Sequence, residues 1–272
     1  MLTLYFSGTG NTKYIAERFS QEMGAAFFSI EADVNFTQEL KAHDTVVFCY
    51  PVYGSRVPRI MREFVARHMS DINGKKIIIL VTQALFSGDG ARVFSDMFWD
   101  GAIDVIYAEH ICMPNNVNNV PLLRKSSTAR INKHVKRADN RIMQICKDIR
   151  SGVIKKRGFS RFSQFLGCLQ GKAWQGNSKE IEPGRKTVES SAKSRVKIRK
   201  ECTGCKICIG ICPVKNLSNE EHKIVSGNNC IVCYRCINCC PQKAISVMIN
   251  IKPRWQYTGV GSIESLNMED CK

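Results

Sequence analysis

Short apolar runs alternate with amphipathic stretches through the first 150 residues. The runs LTLYF (2–6), AAFFSI (25–30), TVVFCY (45–50), KIIILV (76–81) and AIDVIYA (102–108) have the length of strands. Helical spacing appears between them, in KYIAERFSQEM after the first run and near 58–68, 90–99 and 124–150. Strands alternating with helices predict a five-stranded parallel sheet covered on both faces, a doubly wound α/β domain spanning 1–150. Ligands of such sheets sit beyond the carboxyl ends of the strands, where the loops 7–12, 51–56 and 82–90 converge.

Past residue 150 the pattern changes. Residues 151–198 read as a basic, partly helical linker, 199–250 as a small second domain, and 251–272 as a tail. Within the linker, Phe159, Phe162, Phe165, Leu166 and Leu169 fall at helical spacing, which predicts a helix packing its apolar stripe between the domains. The stretch 176–194 is polar and reads as an irregular connection.

The second domain is dominated by cysteine. CTGCKICIGICP, from Cys202 to Pro213, recurs as CIVCYRCINCCP, from Cys230 to Pro241, twenty-eight residues later. The flanks agree as well, so this is a tandem duplication. Disulfides would require an oxidising compartment, and Met1 opens directly into LTLYF without the features of a signal peptide. Structural zinc favours two CxxC pairs separated by a dozen or more residues, whereas here three cysteines follow in close succession and a fourth precedes proline. Three closely spaced thiolates can grip three corners of a cuboidal cluster from one loop, and CxxCxxCxxxCP is the bacterial ferredoxin run, whose fourth cysteine serves the other cluster. Two [4Fe-4S] clusters are expected, one on Cys202, Cys205, Cys208 and Cys240, the other on Cys230, Cys233, Cys236 and Cys212. Cys239 has no ligand slot and reads as structural. Cys49, Cys112, Cys146, Cys168 and Cys271 belong to no motif, and the five histidines have no metal or dyad spacing.

The turn after the first run carries its own signal. In SGTGNT, Ser7, Thr9 and Thr12 supply hydroxyls, Gly8 and Gly10 admit close backbone approach, and the following helix offers free N–H groups to an anion. The Walker lysine is absent, and Lys13 occupies the third glycine position of a dinucleotide loop. A single phosphate caught by hydroxyls and amides suits FMN.

The loop SGTGNT, the turn PVYGSRVP and the segment TQALFSGDGA together resemble the phosphate loop and the two ring-contacting loops of flavodoxins. Joined to the cysteine repeat, the whole chain resembles flavodoxin–ferredoxin fusion proteins of anaerobic bacteria. The resemblance implies that Ser7, Thr9, Gly10, Asn11 and Thr12 hold the FMN phosphate, with Gly8 in the same loop. It also implies that Pro51, Val52, Tyr53 and Gly54 flank the isoalloxazine, with Tyr53 as stacking candidate, and that residues 86–90, Phe86, Ser87 and Gly88 among them, edge the ring. Short flavodoxins often carry an aromatic directly before Gly-Asp-Gly, where this chain has Ser87. Either Phe86 takes that role or one ring face is open.

Charge is unevenly spread. The chain carries +16, and residues 121–200 alone hold 22 Lys and Arg against 5 Asp and Glu. A solvated face, an acidic redox partner or an anionic membrane surface would each fit this excess, and nucleic acid fits less well because the interleaved aromatics have helical spacing. No apolar run approaches the roughly 20 residues needed to cross a bilayer, and cytoplasmic location is the expectation. The function implied is electron transfer between FMN and two clusters, with no acid–base residue required. The alternatives are a flavin-dependent reductase of a small acceptor fed by the clusters, and a non-enzymatic iron–sulfur partner or sensor.

Overall fold

The parallel sheet has six strands. In this computed structural model residues 1–86, 88–175, 190–191 and 195–260 are described, with the backbone alone at Ala173 and Gln175. Ser87, most of the 176–194 stretch, Cys271 and the tail beyond 260 lie outside the described residues. The strands are β1 (Leu2–Tyr5), β2 (Ala26–Ser29), β3 (Thr45–Pro51), β4 (Lys76–Gln83), β5 (Asp104–Cys112) and a two-residue β6 (Lys155–Lys156), arranged β2-β1-β3-β4-β5-β6 with every pairing parallel. Five strands lie where the apolar runs predict them; β6 is too short to leave a hydrophobic pattern.

Alternation along each strand feeds two cores. Leu2, Leu4, Phe6, Val46, Phe48, Tyr50, Ile77, Ile79 and Val81 face one side. Tyr5, Val47, Cys49, Ile78 and Leu80 face the other, beneath Ile15, Ala16 and Phe19 of α1 (Asn11–Met23) and Ala138, Ile142 and Ile145 of α6 (Thr128–Arg150). Helix α6 starts where Ser127 accepts a hydrogen bond from Arg130 N–H, four residues later than the apolar pattern suggests. The first core is covered by α2 (Phe36–Lys41), α3 (Arg59–Arg67), α4 (Met69–Ile72) and the short α5 (Arg92–Ser95).

Helix α7 (Arg161–Gln175) forms as its periodicity predicts, but not with its stripe inward. Phe162, Phe165 and Leu169 are exposed, and the helix is seated through Gly167 and Gly171. A Cβ at Gly167 would overlap the Asp89 carboxylate, and one at Gly171 the Arg56 guanidinium. The bare backbone therefore approaches where large side chains could not.

The cysteine module has its own core of Val196, Leu217, Ile224, Val232, Tyr234, Ile237, Ala244, Ile245 and Val247 among the thiols. Strand β7 (Val196–Ile198) pairs antiparallel with β10 (Ile245–Val247), so the module begins slightly before residue 199. A hairpin of β8 (Leu217–Glu220) and β9 (Lys223–Ser226) turns on Glu221 and His222, both at positive φ as a two-residue primed turn requires. Two short helices, α8 (Ile207–Gly210) and α9 (Arg235–Cys239), follow corresponding cysteine loops.

The duplication is written in the backbone. Gly204, Lys206 and Lys215 have positive φ, and so do Val232, Tyr234 and Lys243, each twenty-eight residues on. Asn216 N–H donates to Cys212 Sγ, as Ala244 N–H donates to Cys240 Sγ. Val232 is β-branched at a φ of 59°, where the first copy has glycine, a conformation costing roughly 1–3 kcal/mol that the packed module must offset.

Candidate functional site

The switch point of the sheet lies at β1, which pairs with β2 on one side and β3 on the other. Chains leaving β1 and β3 separate there and open a crevice. A cavity of about 280 Å³ occupies it. Ser7, Gly8, Thr9, Asn11 and Thr12 line it from the first loop, Pro51, Val52, Tyr53 and Gly54 from the second, and Thr82, Gln83 and Ala84 from the end of β4.

The first loop is built to receive an anion. Gly10, at φ 93°, is the N-cap of α1 and offers no side chain to the first-turn N–H groups. Helices normally satisfy these donors with a Ser, Thr or Asp cap. The first turn also has no acidic residue, so the positive helix end stays available. Ser7 Oγ accepts from Gly10 N–H, Thr12 and Thr82 share a hydroxyl–hydroxyl bond of 2.7 Å, and Thr9 Oγ1 accepts from Asn116 Nδ2. These bonds fix the loop.

Tyr53 is the second feature that calls for a ligand. Its Oη is buried without a hydrogen-bond partner among the described residues, and burial, with the nearby Cys233 thiol, pushes its pKa well up. The phenol is therefore neutral and a donor in need of an acceptor. Its ring lies 6.2 Å from that of Trp174, which reaches the cavity from the last turn of α7 across the bare Cα of Gly54.

Three residues expected at the flavin, Gly10 at its phosphate and Phe86 and Gly88 at its ring, do not line this cavity. Gly10 caps α1 but does not line this cavity. Phe86 is 48% exposed and off the cavity wall, and Gly88 is pinned under α7, where a Cβ would overlap Gly167. Helix α7 covers this end of the sheet and brings Trp174 instead. Ser87 lies outside the described residues.

The remaining wall was not apparent from the sequence. Asn115, Asn116 and Val117 follow β5, and Val232, Tyr234 and Met248 come from the cysteine module. The run NNVNN looks like an ordinary polar loop. Its role emerges only from its partners: Asn118 bonds Asn238, Asn119 donates to the Val247 and Ile249 carbonyls, and Tyr234 Oη donates to Asn119. Arg235 completes the seam, donating to the Ser7, Gly8 and Ile211 carbonyls and pairing with both Glu31 oxygens. The segment read as tail also returns here, Tyr257 Oη donating to Asn11 Oδ1.

The eight motif cysteines sort into two cavities. Cys202, Cys205, Cys208 and Cys240 line one, with Ile198, Ile224 and Ile245, and Cys212, Cys230, Cys233 and Cys236 line the other, with Val196, Ile231 and Val247. Burial pushes the Cys208 thiol up to about 11, with Cys240, Cys205 and Cys202 adding to the rise, and the Cys230 thiol up to about 12, with Cys233 and Cys212 among the contributors. Four thiols lining one apolar pocket are costly to ionise without a compensating cation. No group of three or more His, Cys, Asp or Glu side chains placed to hold a metal ion occurs among the described residues, nor does any disulfide. Cys239 lines neither cavity; it faces a cleft of about 620 Å³ on the far side of the first loop.

A family model described as a flavodoxin domain matches residues 2–99. Among solved structures, flavodoxin 2 of Bacillus cereus is 16% identical, covering 54% of this chain and 97% of that one at a TM-score of 0.37. The two-electron reduced flavodoxin of Megasphaera elsdenii is 20% identical, covering 52% and 99% at 0.36. A WrbA-like flavodoxin of Agrobacterium tumefaciens is 15% identical, covering 56% and 97% at 0.38. No curated protein matched. The amino-terminal region is thus a flavodoxin-like domain, on the strength of the family match and the parallel sheet.

Proposed function

We propose that the chain is an electron-transfer protein joining one FMN, held at the switch point, to two [4Fe-4S] clusters held by the cysteine quartets. The observation that carries this reading is the shared wall. The crevice is closed by Val232, Tyr234 and Met248 of the cysteine module, and Val232 and Tyr234 bracket Cys233 of the second quartet. A flavin there and a cluster on that quartet would be separated by little more than one loop.

The chain's own residues bind, orient and exclude water. Ser7, Thr9 and Thr12, with the uncapped N–H groups of α1, would hold the phosphate. Tyr53 and Trp174 would border the ring system, and the Tyr53 hydroxyl would find its missing acceptor on the ligand. Arg235 locks the phosphate loop to the module, keeping the two walls in register. When bound, FMN supplies exchange between a two-electron couple and one-electron carriers. The N–H donors to Cys212, Cys230 and Cys240 Sγ would tune the potentials of the clusters. Within this reading the second quartet serves the flavin, and the first, with Cys205 exposed, faces external carriers.

Anaerobic purification followed by counting of iron, sulfide and flavin tests the proposal. About eight irons, eight sulfides and one FMN per chain are expected. Zinc in place of iron, or a chain that takes up no flavin, would overturn it.

A further inference from the structure

Helix α7 turns its aromatic stripe to the outside. Phe162, Phe165 and Leu169 stand at i, i+3 and i+7 and are 70%, 62% and 56% exposed. Their outward direction follows from the seating of the helix, since Gly167 and Gly171 take the inward positions against Asp89 and Arg56. Leu85 and Phe86, on the loop after β4, are exposed as well. A contiguous exposed patch of this kind marks an interaction surface.

We propose that this face seats the protein on an anionic lipid surface. The stripe is convex and only about 10 Å long along the helix, and a stable protein interface needs about 800 Å² per partner with a complementary surface. A bilayer interface asks for neither; it accepts protruding Phe and Leu side chains in the plane of the headgroups and rewards flanking cations. The charge meets that demand. Residues 151–172, which lead into and form most of this helix, carry 5 Lys and Arg and no Asp or Glu. Arg161 and Lys172 are exposed at the two ends of the stripe. Arg141, Lys155 and Arg157 all converge on one buried carboxylate, Glu109, leaving a local positive excess. A second copy of the chain would bring like charge against like. No segment need cross the membrane in this orientation; among the described residues no helix is long and apolar enough to do so.

Flotation of the full cofactor-loaded chain with vesicles tests the proposal. The chain is expected to float with phosphatidylglycerol-containing vesicles and to stay behind with pure phosphatidylcholine. Combined Phe162→Ser and Phe165→Ser should weaken binding about tenfold, and combined Arg161→Glu and Lys172→Glu should weaken it and flatten its salt dependence. All four positions are exposed, so circular dichroism and iron content should match the parent. If the parent chain does not float with anionic vesicles, the face serves a protein partner and the proposal fails. It fails equally if the Phe double variant binds like the parent.

Discussion

Gly8 of the phosphate loop lies directly against the backbone carbonyl of Cys233, so close that a Cβ on Gly8 would overlap that oxygen. The two residues are 225 positions apart in sequence. Their contact joins the loop proposed for the flavin phosphate to the loop proposed for the nearer cluster, and Arg235, two residues on, bonds the Ser7 and Gly8 carbonyls from the same side.

Gly8→Ala should therefore pry the modules apart. Backbone on both sides cannot yield as a flexible side chain would, so a cost of about 1–3 kcal/mol is expected. FMN affinity, followed by quenching of flavin fluorescence, should fall by about fivefold to a hundredfold, since each 1.4 kcal/mol is a factor of ten. Iron content should remain unchanged.

Tyr53→Phe should act in opposite directions on the two states. Without flavin the hydroxyl is buried and unpartnered among the described residues, and its removal should stabilise the flavin-free chain by about 1 kcal/mol in urea unfolding. With flavin the same change deletes a donor, and binding should weaken about fivefold to tenfold. Equal stability of the two flavin-free proteins would show that the hydroxyl is already satisfied.

His110 should make the flavodoxin-like domain sensitive to acid. Burial, reinforced by Arg157, pushes its pKa down to about 4, and its Nε2 accepts from Ala91 N–H. The folded chain thus resists a proton that the unfolded chain accepts at about 6.5. Stability from this group is complete above about 6.5 and is lost as pH falls towards about 4, amounting to about 3 kcal/mol. Thermal unfolding across this window should show His110→Gln with a shallower pH dependence than the parent.

Much of the fold was legible because a parallel sheet buries whole runs, and such runs are visible without context. The grouping of eight cysteines was legible for a related reason: the ligand pattern is local, repeated and rigid in spacing. The crevice was only half legible. Ser7 to Thr12 and Pro51 to Gly54 sit on loops that end strands, so their place follows from the sheet alone. Trp174, Asn116, Tyr234 and Tyr257 come from four separate segments whose positions depend on how the modules dock. The position of Phe86 off the cavity wall has the same origin, because α7 packs against Gly88 at that end of the sheet. The outward stripe of α7 shows the limit of periodicity, which reports that one face is apolar but not which face is buried. Glycine at 167 and 171 decided it.

Cys239 and Cys240 are adjacent and face different spaces, one the outer cleft and one the first quartet's cavity. Cys239→Ser should keep about eight irons, and Cys240→Ser should lose the first cluster and retain about four. Iron and sulfide analysis of both variants gives the answer. Loss of iron from the Cys239 variant would mean that it, and not its neighbour, is the ligand.

The most direct test of electron exchange between the modules is anaerobic stopped-flow reduction of the full chain, following cluster bleaching and flavin reduction separately. The account predicts that the clusters accept electrons first and that the flavin follows at a rate independent of protein concentration, and that Gly8→Ala slows this second phase. A flavin phase whose rate rises in proportion to protein concentration, or a flavin that stays oxidised beside reduced clusters of lower potential, would contradict it.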